Sequence, residues 1–87
     1  MKYRVEVAKK VVKFLKKQPI WLIDVFEEKV DKLAKNPYWD DLDVKKLKRQ
    51  TEVYRLRIGV YRFLFTIKDD TLIILFFDAA HRKDVYK

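Results

Sequence analysis

The chain has 87 residues, of which 49% are hydrophobic and 15% aromatic; that is material for one core and no second, so it reads as a single domain over 1–87. With no cysteine and one histidine it excludes disulfides, thiolate metal sites and the usual zinc ligand sets, and nothing in it calls for a cofactor or a metal. Its formal net charge of +8 directs attention to anionic partners.

In chain order, Tyr3 to Ala8 alternates and carries β-branched residues, which predicts a first strand. The N-terminus "MKYRVEVAKK" has no apolar run of the kind an export signal needs, so the expected location is the cytoplasm. Ala8, Val11, Val12 and Leu15 then fall at helical spacing with lysines between them. Pro19 ends that helix and suits the start of the next. In the second helix Ile23, Phe26, Val30, Leu33 and Ala34 form the apolar stripe, and Asn36-Pro37 stops it. The segment "YWDDLDVKKLKRQ" has no clean period; it predicts a loop leading into a short strand around Val44 to Lys48.

Three strands follow, Glu52 to Ile58, Tyr61 to Lys68 and Thr71 to Asp78, with Asp69-Asp70 as a tight turn. The last contains the longest apolar run, Leu72 to Phe77, far too short to span a bilayer, so no membrane is expected as partner. Early helices and late strands indicate an α+β fold, β-α-α-β-β-β. The N-terminal strand and helical hairpin pack on one face of a curved, mainly antiparallel sheet.

Charge is concentrated on these strands. Between Lys45 and Arg62 lie Lys45, Lys46, Lys48, Arg49, Arg55, Arg57 and Arg62 against a single acid, Glu52. Such a patch is the electrostatic footprint of a nucleic-acid binder, although a lysine-rich solubility surface has the same composition. Geometry favours the former. If Gly59-Val60 is a two-residue type II′ turn, Ile58 faces Tyr61 and Arg57 lies directly opposite Arg62, with Arg55 on the same face. Tyr54, Leu56, Ile58, Tyr61, Phe63 and Phe65 then face the helices. A two-residue turn at Asp69-Asp70 sets Phe77 beside Arg62 and brings His81 and Arg82 to the same end, with few acids nearby. Like charges across a ladder cost about 0.2–1 kcal/mol per pair, so the cluster calls for an anion, and the guanidinium fork matches phosphate. On the same face Leu64, Ile73, Leu75 and Phe77 are too apolar to stay bare, which predicts a covering partner or a folded-back C-terminus.

The stretch "KLKRQTEVYRLRIGVYRFLF" followed by "HRKDVY", in a chain of this length, resembles the RelE/ParE toxin superfamily. The likeness covers nearly the whole chain; Val60 and Arg49 depart from the usual pattern. It implies a toxin of a type II toxin–antitoxin system, bound by a RelB-like antitoxin. In the RelE branch such a toxin is an endoribonuclease (mRNA interferase) that cuts mRNA in the A site of a 70S-type ribosome, without metal, and so inhibits translation. In the ParE branch the same fold inhibits DNA gyrase without being an enzyme, and this is the alternative. The positions the resemblance assigns are Arg62, Arg82 and Tyr86 for catalysis and Arg55 and Arg57 for RNA binding, with Lys45, Lys46 and Lys48 adding phosphate contacts; His81 is a further catalytic candidate by its own chemistry. The chemistry is consistent with those residue types. Guanidiniums stabilise charge on the non-bridging oxygens, a tyrosine among cations has its phenolate favoured, and a histidine is an acid or base near neutral pH. Tyr86 as an aromatic docking the C-terminus, and His81 as a surface imidazole, are the structural alternatives.

Overall fold

Alternation produces strands and helical spacing produces helices. In the computed structural model, which describes residues 2–38, 42–47 and 52–81, the order is β1 (Arg4–Val7), α1 (Lys9–Lys16), α2 (Ile20–Lys35), β2 (Val44–Lys46), β3 (Val53–Ile58), β4 (Tyr61–Lys68) and β5 (Ile73–His81). No side chain caps the start of α1; the Val11 and Val12 N–H groups donate to the Ala8 carbonyl instead. Its last turn carries Lys13 and Lys16, which complement the negative end of the helix dipole. Helix α2 begins directly after Pro19, whose fixed φ is already set for a helical start. At its far end the Asn36 side-chain oxygen accepts the Tyr38 N–H at 3.0 Å, turning the chain away.

The strands form one sheet in the order β1-β5-β4-β3-β2. The two strands that flank the helices in sequence lie at opposite edges, so the helical segment crosses the face between them. β1 runs parallel to β5, with Val5 beside Ile74, and the remaining neighbours are antiparallel, giving the mixed sheet of an α+β fold. Val11 and Leu15 of α1 and Leu22, Phe26 and Leu33 of α2 pack on Leu56, Phe63, Phe65, Ile67, Ile74 and Phe76 of the sheet. Leu22 lies outside the expected apolar stripe yet is fully buried, while Ile23 and Val30 are only half-buried. At the centre, the ring of Phe63 lies 4.6 Å from that of Phe26 and meets Phe14 edge-on at 6.2 Å.

Two features depart from the sequence-based expectation, and both act on β5. The β4–β5 connection is not a two-residue turn: Lys68 pairs with Ile73, leaving residues 69–72 as the loop, with Leu72 in the left-handed region at φ 55°. Further along, the register shifts between Leu64 and Phe65, which pair with Asp78 and Phe76, so Phe77 is the extra residue of a β-bulge. Arg62 therefore stands beside Ala80 rather than Phe77, and the strand runs on to His81 rather than ending at Asp78.

The loop is tied down by hydroxyls. Tyr3 donates to Asp69 at 2.6 Å and Tyr38 donates to the same carboxylate at 2.8 Å, linking the N-terminal segment, the end of α2 and the β4–β5 connection. Those two bonds hold the Asp69 carboxyl below its ordinary range. Burial, and then the bond to Asp69, push the Tyr38 hydroxyl well up.

Candidate nucleic-acid interface

The β3–β4 turn creates the site. Gly59 takes φ +59° and, among the described residues, Val60 is not one with positive φ, as a type II′ turn requires. Ile58 accordingly pairs with Tyr61 and Arg57 with Arg62, the juxtaposition the spacing predicts. Arg55, opposite Leu64, shares that face. The short β2 adds Lys45 beside Arg55, whereas Lys46 pairs with Tyr54 and places its Nζ 5.9 Å from that ring's centroid, on the other face. Only one of these two lysines thus joins the arginines.

Between β3, β4 and β5 the arginine face holds a cleft of about 340 Å³, lined by Leu47, Arg55, Arg62, Leu64, Asp78 and Ala80 among others. Its floor is apolar and its walls are charged, a combination suited to an anionic group carrying an apolar or aromatic body. Leu64, Ile73, Leu75 and Phe77 are half-buried on this sheet.

An acid that the sequence reading did not anticipate sits here. Asp43, just before β2, accepts from Arg55 Nη2 at 2.9 Å and from Arg57 Nε at 2.6 Å. Its backbone carbonyl also accepts the Arg57 N–H at 3.0 Å. The expectation of few acids nearby is therefore corrected: one carboxylate bridges two of the three guanidiniums and relieves their mutual repulsion. The missed signal is Asp43, two positions ahead of Lys45, which the pairing of β2 with β3 brings against the arginines. Asp78, the other acid of the cleft, is bonded to Lys10 of α1 at 3.0 Å and accepts the Ala79 N–H at 2.8 Å. Arg55 is nearly enclosed, with 13% of its side chain exposed, while Arg57 has 50% exposed. The face keeps net positive charge.

No protein-family model matches the chain. RelE1 of Methanocaldococcus jannaschii, named as a toxin, is 38% identical over all of this chain and 98% of its own length. The chain belongs to the RelE family of toxins. Solved structures agree with the assignment. A chain of the archaeal RelE–RelB complex from Pyrococcus horikoshii matches with a TM-score of 0.84 at 32% identity, covering 94% of this chain and 97% of that one. A chain of the RelB–RelE complex from Methanococcus jannaschii gives 0.76 at 30% identity, covering 93% and 94%.

Within this RelE toxin, Arg55, Arg57, Arg62 and Lys45 are gathered on one face, and Lys46 lies on the other. His81 reaches the same end of the sheet as Arg62, but from the opposite face: it pairs with Tyr61, and its ring meets the Tyr61 ring edge-on at 5.4 Å. The bulge at Phe77 is the cause, because one extra residue reverses the alternation of everything after it. Lys48, Arg82 and Tyr86 lie outside the described residues. Among the described residues no group of three His, Cys, Asp or Glu side chains could hold a metal ion, and no helix is long and apolar enough to cross a membrane.

Proposed function

We propose that this RelE toxin cleaves mRNA in the A site of a 70S-type ribosome and is neutralised by a RelB-like antitoxin. The Arg57–Arg62 pair carries the reading: two guanidiniums lie directly opposite each other on one face of the sheet, with Arg55 and Lys45 beside them. Neighbouring phosphates of one RNA strand are the anions such a cluster attracts. In the reaction the 2′-oxygen gives up its proton and attacks the adjacent phosphorus, forming a phosphorane. The bond from phosphorus to the 5′-oxygen then breaks, and that oxygen takes a proton. The products are a 2′,3′-cyclic phosphate and a 5′-hydroxyl.

In this mechanism Arg62, with Arg82, bears on the non-bridging oxygens, where charge develops; Tyr86 as phenolate takes the proton of the 2′-oxygen, and water supplies one to the departing 5′-oxygen. The ring of His81 is engaged with Tyr61 on the far face, so the proposed chemistry rests on Arg62, Arg82 and Tyr86. Arg57 and Lys45 bind flanking phosphates, joined by Lys48; Lys46, from the other face, adds long-range attraction alone. The antitoxin reading is supported by the two RelE–RelB complexes matched at 30% identity or more. Half-buried Leu64, Leu75 and Phe77, together with an apolar groove beside Val5, Val7 and Val30, are surfaces available to that partner.

Toeprinting of ribosome-bound mRNA tests the enzyme. Wild-type protein is expected to cut in the A site, and Arg62→Ala or Arg82→Ala to lower the rate by about 100- to 1,000-fold, the effect of removing one donor to a developing oxyanion. Cleavage that survives both substitutions refutes the assigned roles. Intact mRNA at full ribosome occupancy refutes the nuclease and favours a non-enzymatic inhibitor of the gyrase-directed type.

A further inference from the structure

We infer that Asp43 is a positioning residue, which orients Arg57 so that the two terminal nitrogens of its guanidinium meet an RNA phosphate; this rests on reading the arginine face as an RNA site. A carboxylate among arginines could act in either of two ways. As a mask, it occupies the nitrogens that a phosphate needs. As a clamp, it holds the guanidinium from behind and leaves the working edge open. The bonding pattern is that of a clamp. Asp43 takes Arg57 by Nε, at 2.6 Å, and among the described residues Nη1 and Nη2 have no other protein partner on a side chain that is half exposed. Those two nitrogens are the end-on fork that grips phosphate bidentately.

Asp43 is itself fixed. Its carbonyl accepts the Arg57 N–H at 3.0 Å, so acid and arginine are joined through backbone and side chain together, and neither swings without the other. The second carboxylate oxygen holds Arg55 Nη2 at 2.9 Å. Arg55 is the less accessible cation of the two, and its Nε is buried with no hydrogen-bond partner among the described residues. It serves as a buried counter-charge that holds the Asp43 carboxylate in place, and Arg57 makes the contact. A long side chain otherwise loses rotamer freedom when it binds; clamping it beforehand removes that cost from the binding step.

The test is a double-mutant cycle of wild type, D43N, R57A and D43N/R57A, read by binding to a short 2′-O-methyl RNA that cannot be cut. In wild type, R57A is expected to weaken binding about tenfold, the size of one charge-assisted hydrogen bond. In the D43N background the same substitution should change binding by less than about twofold, because Arg57 no longer meets the phosphate. D43E should restore part of the coupling. If R57A costs as much or more in the D43N background, Asp43 is a mask or a simple counter-charge, and the inference is overturned. Thermal melts accompany the cycle; should D43N melt below the assay temperature, D43S replaces it, removing the charge without setting an amide against the guanidiniums. The A-site cleavage assay runs in parallel. Coupling without cleavage overturns the nuclease and leaves the clamp standing, cleavage without coupling does the reverse, and no RNA binding by wild type overturns both.

Discussion

Replacing Phe63 with alanine tests whether the sheet's aromatic centre carries the fold. Phe63 lies on β4 directly after Arg62 and has no exposed surface. A phenylalanine buries about 150–250 Å². At about 25 cal/mol per Å² this is roughly 4–6 kcal/mol as an upper bound, which a compact unfolded chain lowers by about 10–40%. Loss of the ring pairs with Phe26 and Phe14 adds to the cost, and partial collapse of the helices into the gap subtracts from it. The expected loss is about 3–5 kcal/mol, against about 4–13 kcal/mol for the whole fold of a chain this size. Urea unfolding followed by circular dichroism measures it, with the midpoint falling and the slope unchanged. In a thermal melt the same loss appears as a drop of roughly 12–40 °C. A loss below about 1.5 kcal/mol would refute the reasoning. It would mean that α1 and α2 close over the vacated space, and that packing at this point does not set the position of Arg62.

Two further predictions concern the loops. Asp69 has a lowered carboxyl because two hydroxyls stabilise its charged form, so its contribution to stability is present above the unfolded value near about 4 and is lost as pH falls through the lower folded value. The melting temperature of Asp69→Asn should therefore lie below that of wild type at pH 7, with the gap closing on acidification; a gap that stays constant down to about pH 2 assigns the effect to shape rather than charge. Gly59→Ala should cost about 1–2 kcal/mol through its positive φ alone, since a Cβ there meets nothing within 4 Å. A thermal melt indistinguishable from wild type would show that the turn relaxes without strain.

Much of this toxin is legible along the chain because its determinants are local. The alternation of Tyr61 to Lys68, the helical stripe of Val11 and Leu15, and the helix stop at Asn36-Pro37 each follow from neighbours a few residues apart. So does the Arg57–Arg62 pairing, since a two-residue turn at the chain's single glycine fixes which residues face each other. Three facts about the site are decided only by the tertiary structure. Whether Asp69-Asp70 closes a two-residue turn or belongs to a four-residue loop depends on Tyr3 and Tyr38 reaching Asp69 from distant parts of the chain. The bulge at Phe77 has no local signature, yet it reverses the alternation beyond it and sends His81 to the face opposite Arg62. Asp43 reaches the arginines because β2 pairs along the edge of β3, a contact between residues twelve and fourteen positions apart. Periodicity reports which face a residue takes while the register holds; where loops change length and strands gain a residue, the packing of the whole sheet sets the register, and with it the composition of the site.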